Sequence, residues 1–148
     1  MQKLTLDNIW EIYSPLFAKI TPKMSHELLK FGSFNSKGNV LDAGCGVGKA
    51  LQYLVQNKRV VSIDAIDSNP WMINEAKKVI VNSNSKLVLN TILENLEIYN
   101  FQKRYDTILS LNVIYTLKDP LNFFEKSYNL LNQGGRLIVS SPNKTIDM

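Results

Sequence analysis

The stretch LDAGCGVGKA, residues 41–50, has three glycines at alternate positions and a lysine directly after the third. It continues an apolar, strand-like segment (NVLDAG, 39–44) and leads into KALQYLVQN (49–57), whose apolar residues have helical spacing. Glycine-rich turns between a strand and a helix let the backbone come close to a bound ligand. The spacing of the glycines therefore indicates which class of ligand this turn serves.

The spacing does not match a phosphate-binding P-loop, which requires G-x-x-x-x-G-K-[ST]. Gly48 and Lys49 fit that pattern, but Ala43 stands at the first glycine and Ala50 replaces the hydroxyl residue. Without the hydroxyl oxygen a bound Mg²⁺ loses a ligand. The sequence therefore argues against ATP or GTP hydrolysis.

A dinucleotide-binding turn requires G-x-G-x-x-G. Gly44 and Gly46 match, but Lys49 occupies the third glycine position. A lysine side chain there obstructs the close approach of helix to strand that the third glycine permits. This alternative is weakened, but it stays open at this point.

Strand-like and helical segments alternate along the rest of the chain, which predicts an α/β fold with a parallel sheet covered on both faces. The predicted strands are 39–44, 59–67, 86–92, 105–114 and 136–141, and helical pieces occupy 5–31, 49–57, 71–82 and 121–131. Ligands bind such sheets beyond the carboxyl ends of the strands, which is where the glycine run lies.

Two helix starts are marked by a capping residue followed by proline, at 68–70 and 119–120. The second of these helices is predicted to end at 132–135, with a glycine as its left-handed C-cap. Its expected apolar face consists of Phe123, Phe124, Tyr128 and Leu131.

Composition indicates one globular domain spanning residues 1–148, with 45% apolar and 20% charged residues. Cys45 is the only cysteine, so no internal disulfide can form, and a reducing, cytoplasmic location is expected. No signal-like segment or apolar run of about 18 residues is present, so no membrane association is expected. The net charge of +4 is spread over scattered basic pairs, which argues against nucleic acid as a partner.

The pattern D-x-G-x-G-x-G from Asp42 to Gly48 resembles motif I of the class I S-adenosylmethionine-dependent methyltransferases. The resemblance extends over roughly 39–142. It implies a Rossmann-like, doubly wound, mostly parallel sheet of order 3-2-1-4-5, with a helical cap at 1–35 and the core at 36–148. It also implies S-adenosyl-L-methionine as cofactor and S-adenosyl-L-homocysteine as product.

Within this resemblance the backbone of Gly44, Cys45, Gly46 and Gly48 is expected to approach the methionine part and the sugar of the cofactor. Asp42 is an anion beside the loop, which suits a sulfonium and an ammonium and would repel a pyrophosphate. The alternative role for Asp42 is to cap the turn.

An acidic residue at the end of strand two should accept hydrogen bonds from both ribose hydroxyls, because a carboxylate has two oxygens. Asp64 and Asp67 both lie about 20 residues past the glycines. Asp67 heads DSNPWM, 67–72, which resembles the pattern that follows this acid in the family, so Asp67 is the predicted ribose ligand. Its alternative role is a helix N-cap, and Asp64 is expected to meet a polar neighbour within the strand.

The other predicted cofactor contacts are also implied by the resemblance. Ser68 and Met72 should line the pocket for the sugar and adenine. The backbone at Ile92 and Leu93 should contact the adenine, because the polar residue usual after strand three is absent. Tyr13 is expected to close over the cofactor.

The segment LSLNVIYTL, 109–117, resembles motif IV, and its polar residues Asn112 and Tyr115 are the catalytic candidates. Asn112 is expected to line the cofactor as well. The alternative for Tyr115 is to pack under the loop with its hydroxyl bonded. The [DN]-P-P-Y signature of amino-group methylation is absent, and no metal-ligand cluster is apparent, so no metal is expected.

These features predict methyl transfer to a small-molecule acceptor. The family fold continues past strand five with two more strands, which this sequence lacks, so the edge of strand five would be bare. We therefore expect a fragment of a longer protein, a homo-oligomer or partner that covers this edge, or a non-catalytic cofactor-binding module. An RNA methyltransferase is a further alternative.

Overall fold

The computed structural model describes residues 23–83 and 86–141, and Tyr13 lies outside them. In chain order the elements are α1 (Lys23–Phe34), β1 (Gly38–Ala43), α2 (Leu51–Leu54), β2 (Val60–Asp67), α3 (Pro70–Asn82), β3 (Val88–Leu93), β4 (Tyr105–Leu111), a 3₁₀ turn (Ile114–Thr116), α4 (Pro120–Leu130) and β5 (Leu131–Ser140). No helix in these two ranges is both long and apolar enough to cross a bilayer.

The five strands form one parallel sheet of order β3-β2-β1-β4-β5, which confirms the predicted topology. In the register of the two central pairs, Asp42 of β1 lies beside Ala65 of β2 and Leu109 of β4. The strand order reverses between β1 and β4, and this is the place where sheets of this kind bind ligands.

Two hydrophobic clusters cover the two faces of the sheet, because successive side chains of a strand point to opposite sides. Val40 belongs to one cluster, together with Leu51 and Ala76 from α2 and α3, and Leu29 of α1 packs against it. Leu41 belongs to the other cluster, which includes Phe123 of α4. Asp42 therefore shares the face of Val40.

Several boundaries differ from the prediction. The helix expected at 49–57 is one turn, Leu51–Leu54, and β4 ends at Leu111, before a 3₁₀ turn. β5 begins directly after α4, so residues 132–135 do not form a helix C-cap. They bulge out of β5 instead, since Tyr105 pairs with Leu131 and Thr107 pairs with Arg136.

The predicted apolar face of α4 is wrong at two positions. Phe123 is buried, but Phe124 is 41% exposed and Tyr128 is 80% exposed. The buried side of the helix consists of Phe123, Ser127 and the partly buried Leu130. These positions are four and three residues apart, so they lie on one helical stripe from which Phe124 and Tyr128 are displaced.

Asp64 of β2 is a buried anion that ties three parts of the second face together. Its carboxylate accepts hydrogen bonds from Tyr105 Oη at 2.7 Å and Asn90 Nδ2 at 2.9 Å, and Lys103 Nζ lies at 2.9 Å. Burial disfavours the charged carboxylate, but these donors outweigh it and hold the pKa of Asp64 below its ordinary value. The expected polar neighbours of Asp64 are therefore Tyr105, Asn90 and Lys103.

We predict that Tyr105→Phe lowers the free energy of unfolding at pH 7 by about 1.5–3 kcal/mol, because a buried carboxylate loses a donor. Urea denaturation measures this change. The stability from a depressed pKa is present above the unfolded pKa and is lost as the pH falls through the folded pKa, so the deficit should shrink in acid. Tyr99→Phe is the matched control, because the Tyr99 hydroxyl has no hydrogen bond to the part of the chain described. Equal stability of the two variants would contradict the prediction.

Candidate functional site

The glycine loop joins the end of β1 to α2 and is fastened to the end of β2. Gly44, Gly46 and Gly48 have φ values of 84°, 54° and 84°, in the left-handed region that favours glycine. The N–H groups of Gly44 and Cys45 both donate to the Ile66 carbonyl oxygen, at 2.9 and 3.0 Å. These bonds hold the backbone of the loop against β2.

The three glycines meet different surroundings. A Cβ on Gly44 would lie 2.4 Å from Val113 Cγ2, and one on Gly48 would lie 3.1 Å from Ala76 Cα. On Gly46 the nearest atom would be Met72 Sδ at 4.0 Å. Gly44 and Gly48 are therefore required by packing inside the protein, whereas the side of the loop at Gly46 is open to a ligand.

Asp67, at the end of β2, holds the open part of the loop. Its Oδ2 accepts a hydrogen bond from the Gly46 N–H at 3.0 Å, and its Oδ1 accepts one from the Asn69 N–H at 2.9 Å. Burial raises the pKa of Asp67, although the hydrogen bonds from backbone N–H groups oppose this rise. Each oxygen has further lone-pair capacity, so the carboxylate can accept additional donors.

The N-cap of α3 is Asn69, not Asp67, so the alternative role for Asp67 is wrong. Asn69 Oδ1 accepts hydrogen bonds from the N–H groups of Trp71 at 2.9 Å and Met72 at 3.2 Å. Asp67 is two residues too early to reach the first turn and bonds the capping residue itself.

Asp42 is a buried carboxylate at the base of the loop. Only 2% of the residue is exposed, and its Oδ2 makes no hydrogen bond to the described residues. Burial, together with the charge of Asp67, raises the pKa of Asp42 to about 7. A buried carboxylate oxygen without a donor, close to a second carboxylate, creates a position that favours a cation.

The other predicted cofactor residues lie around this loop. Ser68 is exposed directly after β2, and Met72 is partly buried in the first turn of α3. Leu93, at the end of β3, pairs with Asp67 and is 53% exposed. The side chain of Ile92 is partly buried and packs against the second hydrophobic cluster.

The two catalytic candidates follow β4. Asn112 has a left-handed φ of 60°, and its backbone N–H donates to the carbonyl oxygen and to Oγ of Ser140, at 3.0 and 3.1 Å. Tyr115 lies in the 3₁₀ turn and is 51% exposed, so the alternative in which it packs under the loop is wrong. Between them Val113 contacts Gly44, which brings this turn next to the glycine loop.

Sequence reasoning missed the contacts of Val113 and Ser140. No motif marks either residue, since one is an apolar residue in a turn and the other is a serine in a strand. In residues 23–83 and 86–141, no three His, Cys, Asp or Glu side chains are grouped as a metal site would require.

A parallel sheet of this order, with a glycine loop after β1 and an acid after β2, defines a Rossmann-like fold that binds a nucleoside cofactor. Residues 16–148 match a family model described as a methyltransferase domain, and the chain belongs to that family. The resemblance to class I methyltransferases is thereby confirmed.

The chain is similar to three proteins of this kind. It is 33% identical to malonyl-[acyl-carrier protein] O-methyltransferase 1 of Ilyobacter polytropus, over 87% of this chain and 48% of the relative. It is 29% identical to a tRNA U34 carboxymethyltransferase of Alteromonas mediterranea, over 70% of this chain and 32% of that protein. The chain thus spans less than half the length of these relatives.

The third similarity is to a solved structure, the plantazolicin methyltransferase BpumL in complex with a pentazolic desmethylPZN analog and SAH. The TM-score is 0.73 at 22% identity, and the match covers 90% of this chain and 52% of that one. At this level of identity the likeness supports the fold alone.

We predict that Gly44→Ala destabilises the protein more than Gly134→Ala does. Gly134 has a φ of 74° and no atom within 4 Å of a built Cβ, so alanine there causes only backbone strain of about 1–2 kcal/mol. Gly44→Ala adds a clash with Val113. Thermal or urea unfolding measures both variants, and adding Val113→Ala to Gly44→Ala should recover part of the loss. Equal costs at the two glycines would contradict this packing.

We predict that Asp42→Asn stabilises the ligand-free protein at pH 8. A carboxyl with a raised folded pKa contributes stability below its unfolded pKa of 3.8, and that stability is lost as the pH rises through about 7. The gain over wild type should therefore be small near pH 4, grow up to about pH 7 and then level off.

Asp106→Asn is the control, and its expected effect on stability has the opposite sign. Hydrogen bonds from the Asn39 N–H and the Asn132 amide lower the pKa of Asp106, so its replacement should destabilise the protein at neutral pH. Unfolding curves from pH 4 to 8 test both variants. A pH-independent gain for Asp42→Asn would contradict the titration assigned to Asp42.

Proposed function

We propose that this chain is the cofactor-binding and catalytic part of an S-adenosylmethionine-dependent methyltransferase that acts on a small-molecule acceptor. The observation that carries the proposal is the buried Oδ2 of Asp42, which lies below an open glycine loop and has no donor in the part of the chain that the structure describes. A second carboxylate, Asp67, borders the same loop. Two anions at this position suit a cationic nucleoside and disfavour the pyrophosphate of a dinucleotide or a nucleoside triphosphate.

The residues present fit this cofactor. Asp42 supplies the negative charge for its cationic methionine part, and the open backbone at Gly46 gives room for close approach. The remaining lone pairs of Asp67 can accept hydrogen bonds from the two ribose hydroxyls. The backbone at 92 and 93 lies at the end of the adjacent strand. When bound, S-adenosylmethionine supplies a methyl group on a sulfonium, an electrophile with a neutral leaving group.

The task of the protein in this reaction is to hold the acceptor in line with that methyl group and to exclude water. The turn that carries Asn112 and Tyr115 is the part of the described chain suited to hold the acceptor, because Val113 in this turn packs against Gly44 of the glycine loop. Ser68 and Met72 are suited to border the sugar. The relative named for malonyl-[acyl-carrier protein] matches at 33% identity over 87% of this chain and the one named for tRNA at 29% over 70%, which favours an acceptor other than nucleic acid.

Titration calorimetry with S-adenosylhomocysteine tests the proposal. We predict that wild type binds it and that Asp67→Asn weakens binding by about tenfold or more, since a charged hydrogen-bond acceptor is lost. The 2′-deoxyadenosyl analog should lose less affinity in Asp67→Asn, because one of the affected hydrogen bonds is already absent.

The comparison ligands are NAD⁺ and a tRNA pool. Binding of NAD⁺ with no binding of S-adenosylhomocysteine would overturn the proposed cofactor. Salt-dependent tRNA binding together with methyl transfer to tRNA would overturn the small-molecule acceptor.

A further inference from the structure

The amino ends of the strands carry basic residues at one end of the sheet. Six exposed lysines and arginines stand within two residues of a strand start: Lys37 before β1, Lys58 and Arg59 before β2, Lys86 before β3, and Lys103 and Arg104 before β4. Because the strands are all parallel, their starts meet at the same end, so these six residues form one basic row. The expectation against nucleic acid rested on the scatter of basic pairs along the sequence, and the fold removes that scatter.

The register of the strands sets the shape of the basic row. Gly38 pairs with Val60 and Ser62 pairs with Val88, so the residues before β1, β2 and β3 lie at nearly the same level. Neighbouring strands are about 4.8 Å apart, so the row from β3 through β2 and β1 to β4 spans about 14 Å. The cations therefore lie side by side in a line, which suits the repeated negative charges of a phosphodiester chain.

The carboxylates of the described residues offset little of this positive charge. Lys103 forms a salt bridge with Asp64 at 2.9 Å, and no other member of the basic row forms one within 23–83 and 86–141. Asp106, the second residue of β4, is the acid closest in sequence to the row. Asp42 and Asp67 lie toward the opposite, carboxyl ends of their strands. The described part of the chain is therefore positive at one end of the sheet and negative at the other.

Exposed aromatic rings flank the basic row on both faces of the sheet. α1 and α4 run toward this end, since each of them ends just before a strand begins. The last turn of α1 carries Phe31 and Phe34, which are 62% and 44% exposed, and the last turn of α4 carries Tyr128, which is 80% exposed. The Arg59 guanidinium donates to the Phe34 carbonyl oxygen, which places this cation beside the rings of α1. Rings next to cations suit a single strand, because its unpaired bases can stack on them.

We propose that the basic row and its flanking rings bind a single-stranded nucleic acid, with phosphates on the row and bases stacked on the rings. This surface and the glycine loop lie at opposite ends of β1, which has six residues and is about 20 Å long. The bound strand is therefore a partner that lies away from the methyl group of the cofactor. The proposal goes beyond the proposed function and does not depend on it.

Fluorescence anisotropy with a labelled uridine oligomer, measured without cofactor, tests the proposal. Wild type should bind saturably, and the logarithm of its affinity should fall linearly with the logarithm of the salt concentration. The expected slope is about −2 to −4, because each of about three to five phosphate contacts contributes about −0.7. An abasic oligomer of the same length should bind about tenfold more weakly, since it has phosphates but no bases to stack. Absence of binding, or equal binding of the abasic oligomer, would overturn the proposal.

A triple variant of the basic row, Lys37→Ala with Lys58→Ala and Lys86→Ala, tests the phosphate contacts. It should weaken binding of the uridine oligomer at least tenfold and reduce the magnitude of the salt slope by about 2, since three contacts are lost. Binding of S-adenosylhomocysteine should stay at the wild-type level, because these lysines are far from the glycine loop.

The matched control removes the same charge from exposed lysines outside the basic row. They lie in α3 and in the turn before α4: Lys77→Ala, Lys78→Ala and Lys118→Ala. This control should bind the uridine oligomer like wild type. Equal losses in the two triple variants would show an effect of net charge alone and would overturn the assignment to the basic row.

Two single variants locate the stacked bases. Phe31→Ala should weaken binding of the uridine oligomer by about tenfold, the loss expected for one stacked base. Tyr115→Ala is the control, because Tyr115 is an aromatic residue of similar exposure, 51%, at the opposite end of the sheet. A loss in Tyr115→Ala without one in Phe31→Ala would place the strand at the acceptor turn and contradict the proposed surface.

Vesicles of phosphatidylcholine and phosphatidylserine are the second probe. Val61 and Val88 are 64% and 62% exposed near the starts of β2 and β3, where a bilayer on this surface would contact them. Sedimentation with the vesicles but no binding of the oligomer would assign the surface to a membrane. Methyl transfer to the oligomer would make it the acceptor, and either result overturns the proposal. Failure to bind S-adenosylhomocysteine overturns only the proposed function.

Discussion

The hydrogen bond from the Gly46 N–H to Asp67 Oδ2 is the contact on which the site depends. It joins the loop after β1 to the end of β2, and the bonds to the Ile66 carbonyl oxygen support it. Since β1 and β2 are parallel neighbours, these bonds place two acidic residues, Asp42 and Asp67, at the same end of the sheet. Burial raises the pKa of both carboxyls, and the charge of Asp67 adds to the rise at Asp42. The ligand-free protein is thus electrostatically strained at the position where a cation would relieve it.

The buried carboxylates on the two faces of the sheet have pKa shifts of opposite direction. Asp64 has donors from Tyr105, Asn90 and Lys103, and its pKa is lowered. Asp42 has a raised pKa, and its Oδ2 has no donor within 23–83 and 86–141. Both belong to apolar strands that are neighbours in the sheet. What distinguishes them is that the described residues supply donors to Asp64, whereas they leave Asp42 Oδ2 without one.

The alternation of strands and helices and the position of the glycine loop follow from local signals in the sequence, whereas the strand order was implied by the family resemblance. These signals each span only a few residues, so they can be read from the sequence alone. They are the alternating apolar segments, the run from Asp42 to Gly48 and the caps before Pro70 and Pro120. The exposed side of α4 could not be predicted, because Phe124 and Tyr128 are apolar residues whose burial depends on which stripe the sheet covers. The choice between Asp64 and Asp67 required the family pattern, and the partners of Asp64 come from strands distant in sequence.

The least predictable part of the site is the register of β5, and the acceptor side depends on it. The glycines at 134 and 135 suggested a helix end, yet they lie in a bulge where four residues, 132–135, oppose one residue of β4. This bulge sets which residue of β5 pairs with Leu111. That residue is Ser140, so its hydroxyl meets Asn112, the residue that follows Leu111. A slip of one residue would bring Val139 or Ser141 to this position and reverse the faces of every side chain beyond the bulge. The contact between Ser140 and Asn112 is therefore a consequence of how the strand begins, nine residues before Ser140.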